Sequence, residues 1–202
     1  MSEGSEILER RIRQAFDAGK YARAATLTIE HYGPELLGFL LSQRRDADAA
    51  HEVFAEFCAQ FWETLPRFEW RCSIRTWVYK LLRHAAARQR RRDRARMVPL
   101  PQPSELSIAA ETVRTVTTLG QRTDVKDRLQ QLRETLPLEE QELLILRVDR
   151  GLSWLELAEI MRAPGELTSE AERKTEAARL RKRFQLAKQR LRRLVVEAGL
   201  LQ

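Results

Sequence analysis

Residues 53–65 read VFAEFCAQFWETL, and apolar side chains recur along this stretch mainly at steps of three and four. The recurring residues are Val53, Phe54, Phe57, Phe61 and Leu65. Side chains at this spacing lie on one face of an α-helix, so we expect a helix that buries the stripe in the core of a helical domain. Cys58 lies beside the stripe, which favours core packing over thiol reactivity for its side chain.

Helical patterning extends from this stripe in both directions, from about Ala22 to Arg96. No proline occurs between Pro34 and Pro66, and apolar residues recur at helical steps. A second helix is expected from about Ser73 to Arg96. The segment before it, from Pro66 to Cys72, is expected to be a loop or a loose turn.

The composition changes after this region. Three prolines fall within the five residues 99–103, and a threonine-rich stretch follows, as is typical of a linker. Helical patterning returns at about Val125 and ends at Gly151. We therefore expect an all-α fold of two small helical domains, residues 1–96 and 125–202, joined by a proline-containing linker, residues 97–124.

The second domain has the pattern of a helix-turn-helix. Ser153 and Glu156 have the spacing of a capping box, which predicts that a new helix begins at Trp154 and carries Leu157, Ala158 and Met161 inward. A second candidate capping box is formed by Ser169 and Glu172. The final helix carries an apolar stripe at steps of four and three, formed by Leu180, Phe184, Ala187, Leu191 and Leu194.

Positive charge is concentrated in two short blocks. The net charge of the chain is +7. Residues 83–96 carry a net charge of +6 and residues 173–202 one of +8, whereas the segments before them sum to −1 and −6. Concentrated arginine is expected of a protein that binds a phosphate backbone, because each neutralised phosphate releases counterions. A solvated helix face, or a basic strip paired with the acidic middle segment, is the alternative interpretation.

Composition and motifs disfavour several other classes of protein. The longest apolar stretches are far shorter than the roughly 20 residues of a membrane span, and the acidic first residues do not fit a secretory signal. We therefore expect a cytoplasmic protein without membrane insertion. Two cysteines and three histidines without ligand spacing predict no metal site, and no cofactor is expected. No phosphate-binding loop or metalloprotease motif occurs, so we expect a protein that is not an enzyme.

Motifs in both domains occur together in one known family. They are Asp46–Phe54, Ser73–Leu81, Leu136–Glu140, Gly151–Ala158 and Arg181–Lys188. In this combination they resemble the small extracytoplasmic-function (ECF) sigma factors of bacterial RNA polymerase, which belong to the sigma-70 family. The resemblance covers most of the chain. It departs from the family pattern at His51, where glutamine is usual, at His84, where asparagine is usual, and around residues 163–176, which resemble an insertion.

The resemblance implies that the first domain recognises and melts the −10 promoter element. Bases extruded from a duplex are typically held by stacking on aromatic or arginine planes, which the predicted loop and its flanks supply. Core packing is the alternative for Phe68 and Trp77, whereas Trp70 is harder to explain as a core residue. The residues expected to contact this element are Arg67, Phe68, Trp70, Arg71, Ser73, Arg75, Thr76, Trp77, Lys80, Arg83, His84, Arg88 and Arg91.

The resemblance also implies two further contacts. Residues near the amino end of the last helix would enter the major groove of the −35 element. The residues expected there are Arg173, Lys174, Arg179, Arg181, Lys182, Arg183 and Lys188. Core RNA polymerase would bind Asp48, His51, Glu52 and Phe54. On spacing alone, the acidic residues of that segment are explained better by their favourable position at a helix amino terminus.

Two functions are compatible with these features. The first is a sigma factor that binds core RNA polymerase, recognises the −35 and −10 elements of double-stranded promoter DNA and holds the melted strand. By resemblance alone, an anti-sigma factor is a possible further partner. The second is a stand-alone helix-turn-helix regulator that binds a closed operator as a dimer. Two unlike basic domains in one chain favour the sigma factor.

Overall fold

The computed structural model of the protein describes residues 3–43, 46–95, 131–162 and 169–199. Every regular element among them is helical, which confirms the expected all-α fold. The chain divides into two compact units, Met1–Leu119 and Gly120–Gln202. The predicted linker, residues 97–124, lies outside the described residues. None of the described helices is long and apolar enough to cross a membrane.

The first unit has four α-helices among its described residues. They are α1 (Glu3–Asp17), α2 (Tyr21–Leu41), α3 (Ala47–Thr64) and α4 (Ile74–Ala95). Helix α1 packs on α2, and α2, α3 and α4 pack on one another. Sequence patterning placed the first helix near Ala22 and missed α1, although Ile12 within it is completely buried.

The stripe predicted in residues 53–65 lies in the core of the first unit. All five of its apolar side chains are completely buried, and Cys58 is buried beside them. The rings of Phe57 and Phe61 stack with their centroids 5.9 Å apart. Full burial of one such side chain contributes about 1.5–3 kcal/mol, so the stripe is a main source of the stability that holds α3 between its neighbours.

The segment between α3 and α4 is irregular apart from one short turn. Leu65–Arg67 form a 3-10 helix, residues 68–73 follow without regular structure, and α4 begins one residue after the predicted Ser73. The Ser73 hydroxyl oxygen accepts a hydrogen bond from the Thr76 backbone N–H at 3.1 Å. Ser73 therefore caps α4, because it satisfies one of the N–H groups that a helix start leaves unpaired.

The second unit has three α-helices with both ends among the described residues, and one π-helical segment. They are α5 (Leu138–Leu144), the π-helical segment Ile145–Asp149, α6 (Trp154–Met161) and α7 (Glu170–Glu197). Gly151 has a φ of 66°, in the left-handed region that favours glycine, and it turns the chain between the π-helical segment and α6. Both predicted capping boxes are present, one at the start of α6 and one at the start of α7.

Helix α7 packs on α5 and α6 through its predicted stripe. Leu180 and Ala187 are completely buried, and the other three stripe residues pack against the cluster of Leu136, Leu144 and Ala187. In α6, Leu157, Ala158 and Ile160 are buried, whereas Met161, which was expected to point inward, is only half-buried. The expected insertion lies around residues 163–176. Residues 163–168 of it lie outside the described residues, and residues 170–176 form the first turns of α7.

Candidate nucleic-acid interface

An aromatic cluster lies where the irregular segment of the first unit meets α4. The rings of Phe68 and Trp77 stack with centroids 4.4 Å apart and planes 18° apart, and Trp77 also contacts Phe61 at 5.5 Å. Phe68 is only 8% exposed. Phe68 is thus packed in the core, as the alternative interpretation of this residue predicts, and its expected contact with DNA stays a prediction. Trp77 is half-buried and joins the loop to the core.

Trp70 is also part of this cluster. Its ring lies 4.9 Å from Phe68 and meets Phe16 of α1 edge-on at 5.6 Å, and the Arg13 guanidinium lies 5.2 Å from the ring centroid. The backbone of Trp70 has a φ of 55°. Its indole N–H is buried and has no hydrogen-bond partner among the described residues. The sequence indicated that Trp70 is hard to explain as a core residue. In the structure its side chain is half-buried.

The start of α4 holds three of the residues expected at the −10 element, and each has a partner within the protein. The Arg75 Nε and Nη2 atoms donate to the two Glu35 carboxylate oxygens at 2.8 and 3.0 Å, and only 18% of the Arg75 side chain is exposed. Thr76 is 1% exposed, and its hydroxyl lies 2.9 Å from that of Ser73. These contacts fix Arg75, Ser73 and Thr76 in the local structure of the helix start, and their expected contacts with DNA stay predictions.

Part of the basic block on α4 is tied to α3. The Arg88 Nε and Arg92 Nη1 atoms lie 3.1 and 2.8 Å from the two carboxylate oxygens of Glu56, and Arg88 also donates to Gln60. The sequence predicted that Arg83, His84, Arg88 and Arg91 share a face. The first three are half-buried, whereas Arg91 is exposed. The ion pairs with Glu56 reduce the positive charge that this helix presents to a polyanion.

Several exposed cations of the first unit lie around the aromatic cluster and on the outer part of α4. Arg67, Arg71 and Arg91 are exposed, and Lys80 is half-buried. Arg71 pairs with Glu69 at 2.6 Å, but both side chains are mostly in water. Such a surface pair is weak and a phosphate can replace it at little cost.

The acidic start of α3 combines capping with exposed charge. The Asp46 carboxylate accepts hydrogen bonds from the backbone N–H groups of Asp48 and Ala49 at 2.9 and 3.4 Å. Asp46 is therefore the N-cap, as the simpler interpretation of this segment predicts. Asp48 and Glu52 are exposed and His51 is half-buried.

Phe54 differs from the other three residues expected to bind polymerase. It is completely buried in the core, so it has no surface that a partner can touch. Phe54 therefore supports α3 from within, which leaves Asp48, His51 and Glu52 as the expected polymerase contacts with exposed or half-buried side chains.

Helix α7 presents most of the basic residues of the second unit to solvent. Among those expected at the −35 element, Lys174, Arg179, Arg181, Lys182, Arg183 and Lys188 are exposed, and Arg173 is half-buried. Arg183 and Arg190 pair with Glu139 and Glu140 at the start of α5. The alternative in which basic residues pair with the acidic middle segment thus applies to these two arginines and to Lys174, which pairs with Glu170, while most of the other cations of the helix are exposed.

Trp154 lies between two arginines at the start of α6. The guanidinium groups of Arg147 and Arg181 lie 4.8 and 5.5 Å from its ring centroid, and Phe184 contacts it edge-on at 5.4 Å. Arg147 also donates to the Leu152 carbonyl oxygen at 2.6 Å. A guanidinium over an indole is held by cation–π attraction, so Trp154 orients Arg181 while leaving its donors exposed. The sequence does not predict this role for Trp154, because periodicity does not show which arginine will contact the ring.

The first turn of α7 carries negative charge. The Lys174 ammonium lies 2.7 Å from a Glu170 carboxylate oxygen, and its hydrogen bond and charge lower the pKa of Glu170 below the usual value. Both side chains are mostly exposed, so water screens the pair and its effect on stability is small. Glu170 is thus offset by Lys174, next to the exposed acid Glu172.

Comparisons with known proteins agree with this arrangement. Residues 28–96 match the family model of sigma-70 region 2. The chain also has the fold of the sigma factor RpoE from Bartonella quintana, seen in a co-crystal structure with the anti-sigma factor NepR. The two chains are 19% identical, with 80% of this chain and 90% of that chain covered and a TM-score of 0.54. Comparison with curated protein sequences gave no significant match.

Residues 28–96 thus have the sequence pattern of sigma-70 region 2. This match supports the resemblance to the sigma-70 family that the motifs indicated, and the structure of RpoE adds a shared fold. The matched range begins within α2, includes the aromatic cluster segment and reaches the end of α4. Helix α1 lies before it.

Proposed function

We propose that the protein is a sigma factor that binds core RNA polymerase and directs transcription from specific promoters. The observation that carries the proposal is the match of residues 28–96 to sigma-70 region 2. The fold shared with a sigma factor over most of both chains adds support. In this proposal the protein contributes binding energy to an opened promoter and performs no catalysis of its own.

The second unit is proposed to bind the −35 element through α7. Arg179, Arg181 and Lys182 are exposed in its first half, as expected of side chains that read base edges in a major groove. Lys188 is exposed two turns further along and is suited to a phosphate contact. Arg183 is neutralised by Glu139 and is expected to contribute less.

The first unit is proposed to recognise the −10 element and to capture the melted strand. Arg67, Arg71 and Arg91 supply exposed positive charge near the aromatic cluster and α4. Trp70 is the aromatic side chain of the irregular segment that keeps a partly exposed surface. A base extruded from the duplex gains stacking energy on such a surface, which offsets part of the cost of unpairing.

Core polymerase is proposed to bind the exposed face at the start of α3. Asp48 and Glu52 present two carboxylates there, and His51 lies beside them. RpoE of Bartonella quintana was crystallised with an anti-sigma factor. By analogy, we include an inhibitory protein of this kind among the partners of the chain.

Transcription with purified components tests the proposal. The full chain is mixed with core polymerase and fragmented DNA from its own bacterium, and start sites are mapped. We expect transcription from a small set of promoters that requires both proteins. The charge-reversed variant Asp48→Lys/Glu52→Lys should lose this activity, whereas Glu30→Lys, an exposed charge reversal on α2, should keep it. Tight, specific binding of a dimer to closed DNA without polymerase would instead support the helix-turn-helix regulator.

Replacement of Trp70 by alanine tests strand capture. We expect the holoenzyme with Trp70→Ala to bind the single-stranded non-template −10 segment of a mapped promoter about tenfold more weakly, because stacking on an aromatic side chain is worth about 1–3 kcal/mol per base. Affinity for the closed duplex should change little. Fluorescence anisotropy measures both, with Trp62→Ala, an exposed tryptophan on α3, as the control. Equal loss of both affinities would show that Trp70 is only a structural residue.

A further inference from the structure

One carboxylate of α1 lies at the amino terminus of α4. The two Glu9 carboxylate oxygens accept hydrogen bonds from the backbone N–H groups of Ile74 and Arg75 at 3.1 and 3.2 Å. The hydroxyl of Tyr32, a buried residue of α2, donates to Glu9 at 3.2 Å. A negative charge in this place is stabilised by the N–H groups and by the positive end of the helix dipole.

These contacts complete the hydrogen bonding of the α4 start. The first N–H groups of a helix have no partner inside it. Here the Ile74 and Arg75 N–H groups donate to Glu9, and the Thr76 N–H donates to the Ser73 hydroxyl. The amino terminus of α4 is therefore occupied by a protein carboxylate, and its position depends on α1.

The same face of α1 also holds Trp70. Glu9, Arg13 and Phe16 are separated by steps of four and three, so they lie along one face of the helix. Arg13 lies over the Trp70 ring and Phe16 meets its edge. One face of α1 thus contacts the irregular segment at two places. The first is Trp70, in the middle of the segment, and the second is the start of α4, where the segment ends.

The conformation of Trp70 needs such support. A non-glycine residue with φ near 55° is disfavoured, and a buried indole N–H without a partner adds a further cost. Strained residues persist only where the surrounding structure determines their conformation. The contacts that can do so here come from Phe68 within the segment and from Arg13 and Phe16 of α1.

We propose that α1 positions the segment that captures the melted strand, and that Glu9 is the central positioning residue. The proposal rests on the proposed function for its DNA target and adds to it a role for a helix outside the matched range 28–96. Glu9 fixes the start of α4, while Arg13 and Phe16 hold Trp70. Together they set the orientation of the Trp70 ring before DNA arrives, so the protein does not have to order the segment when it binds the strand.

The conservative variant Glu9→Gln tests this proposal in the full chain. It keeps the size of the side chain and removes its charge, and Glu6→Gln, an exposed change on the same helix, is the matched control. The indole N–H signals of ¹⁵N-tryptophan-labelled protein are recorded by NMR, and that of Trp70 is identified with Trp70→Phe. We expect Glu9→Gln to shift or broaden the Trp70 signal and to leave the Trp154 signal, which belongs to the second unit, unchanged. Glu6→Gln should match the wild type.

A binding measurement with the holoenzyme provides the second readout. We expect Glu9→Gln to bind the non-template −10 oligonucleotide about tenfold more weakly, with unchanged affinity for core polymerase, because charge-assisted hydrogen bonds to the α4 start are lost. If the Trp70 signal of Glu9→Gln is unchanged, Glu9 does not position Trp70. If the signal changes but the affinity for the oligonucleotide does not, the position of Trp70 set by Glu9 does not matter for strand capture. If wild-type holoenzyme does not bind the oligonucleotide, the proposed function fails, and the NMR comparison still decides whether Glu9 positions Trp70.

Discussion

The variant Arg75→Ala is expected to lower the free energy of unfolding by roughly 3 kcal/mol, because it leaves the half-buried Glu35 carboxylate without its partner. The ion pair is bidentate, with both distances at or below 3.0 Å, and about four fifths of each side chain is shielded from water. Urea denaturation of the full chain measures the change. In a double-mutant cycle with Glu35→Ala, the two single changes should not be additive, because either one removes the same interaction.

The exposed pair of Arg71 and Glu69 is the control for this prediction. Both of these side chains are mostly in water, so Arg71→Ala should change the free energy of unfolding by less than about 0.5 kcal/mol. If Arg75→Ala were as stable as the wild type and yet bound the −10 strand poorly, Arg75 would be a DNA contact, as the sequence first suggested.

The variant Arg181→Ala is expected to weaken binding of the −35 duplex by about 10- to 100-fold, because a bidentate arginine contact to guanine is worth about 1–3 kcal/mol. Arg181 is exposed, and the Trp154 ring beneath it limits the conformations of its side chain. The expected loss depends on the base sequence, so a duplex with a changed −35 element should bind wild type and variant almost equally. Fluorescence anisotropy with both duplexes tests this.

Arg183→Ala is the matched control on the same helix. Its guanidinium is paired with Glu139, and its side chain, at 43% exposure, is more shielded than that of Arg71 at 84%, so this pair gives way to a phosphate less easily. We therefore expect a smaller loss of affinity than with Arg181→Ala. Equal losses in the two variants, on both duplexes, would show that α7 acts only through its total charge and that Arg181 reads no base.

Local features of this fold could be predicted from the sequence. The apolar stripe of α3, both capping boxes and the stripe of α7 depend on residues a few positions apart, and each is present as expected. Helix α1 carried a similar signal, because Leu8, Ile12 and Phe16 recur at steps of four. The predicted helical region, which began at about Ala22, left these residues out.

The roles of individual site residues could not be predicted in the same way. Arg75 meets a carboxylate 40 positions earlier in the chain, and the α4 start meets one 65 positions earlier. Whether an arginine is paired or faces solvent depends on how helices pack, which short-range spacing does not encode. For this reason, the sequence grouped Arg75 with Arg71 and Arg181 with Arg183, although the members of each pair lie in different environments.

Helix α7 begins seven residues before its first fully buried side chain, Ala177. Its first turns carry Glu170, Glu172, Arg173 and Lys174, whose formal charges cancel. Unbalanced positive charge begins only further along the helix, at Arg179 and Arg181. In the proposed complex, promoter phosphates are therefore attracted more strongly to the flank of α7 than to its first turns.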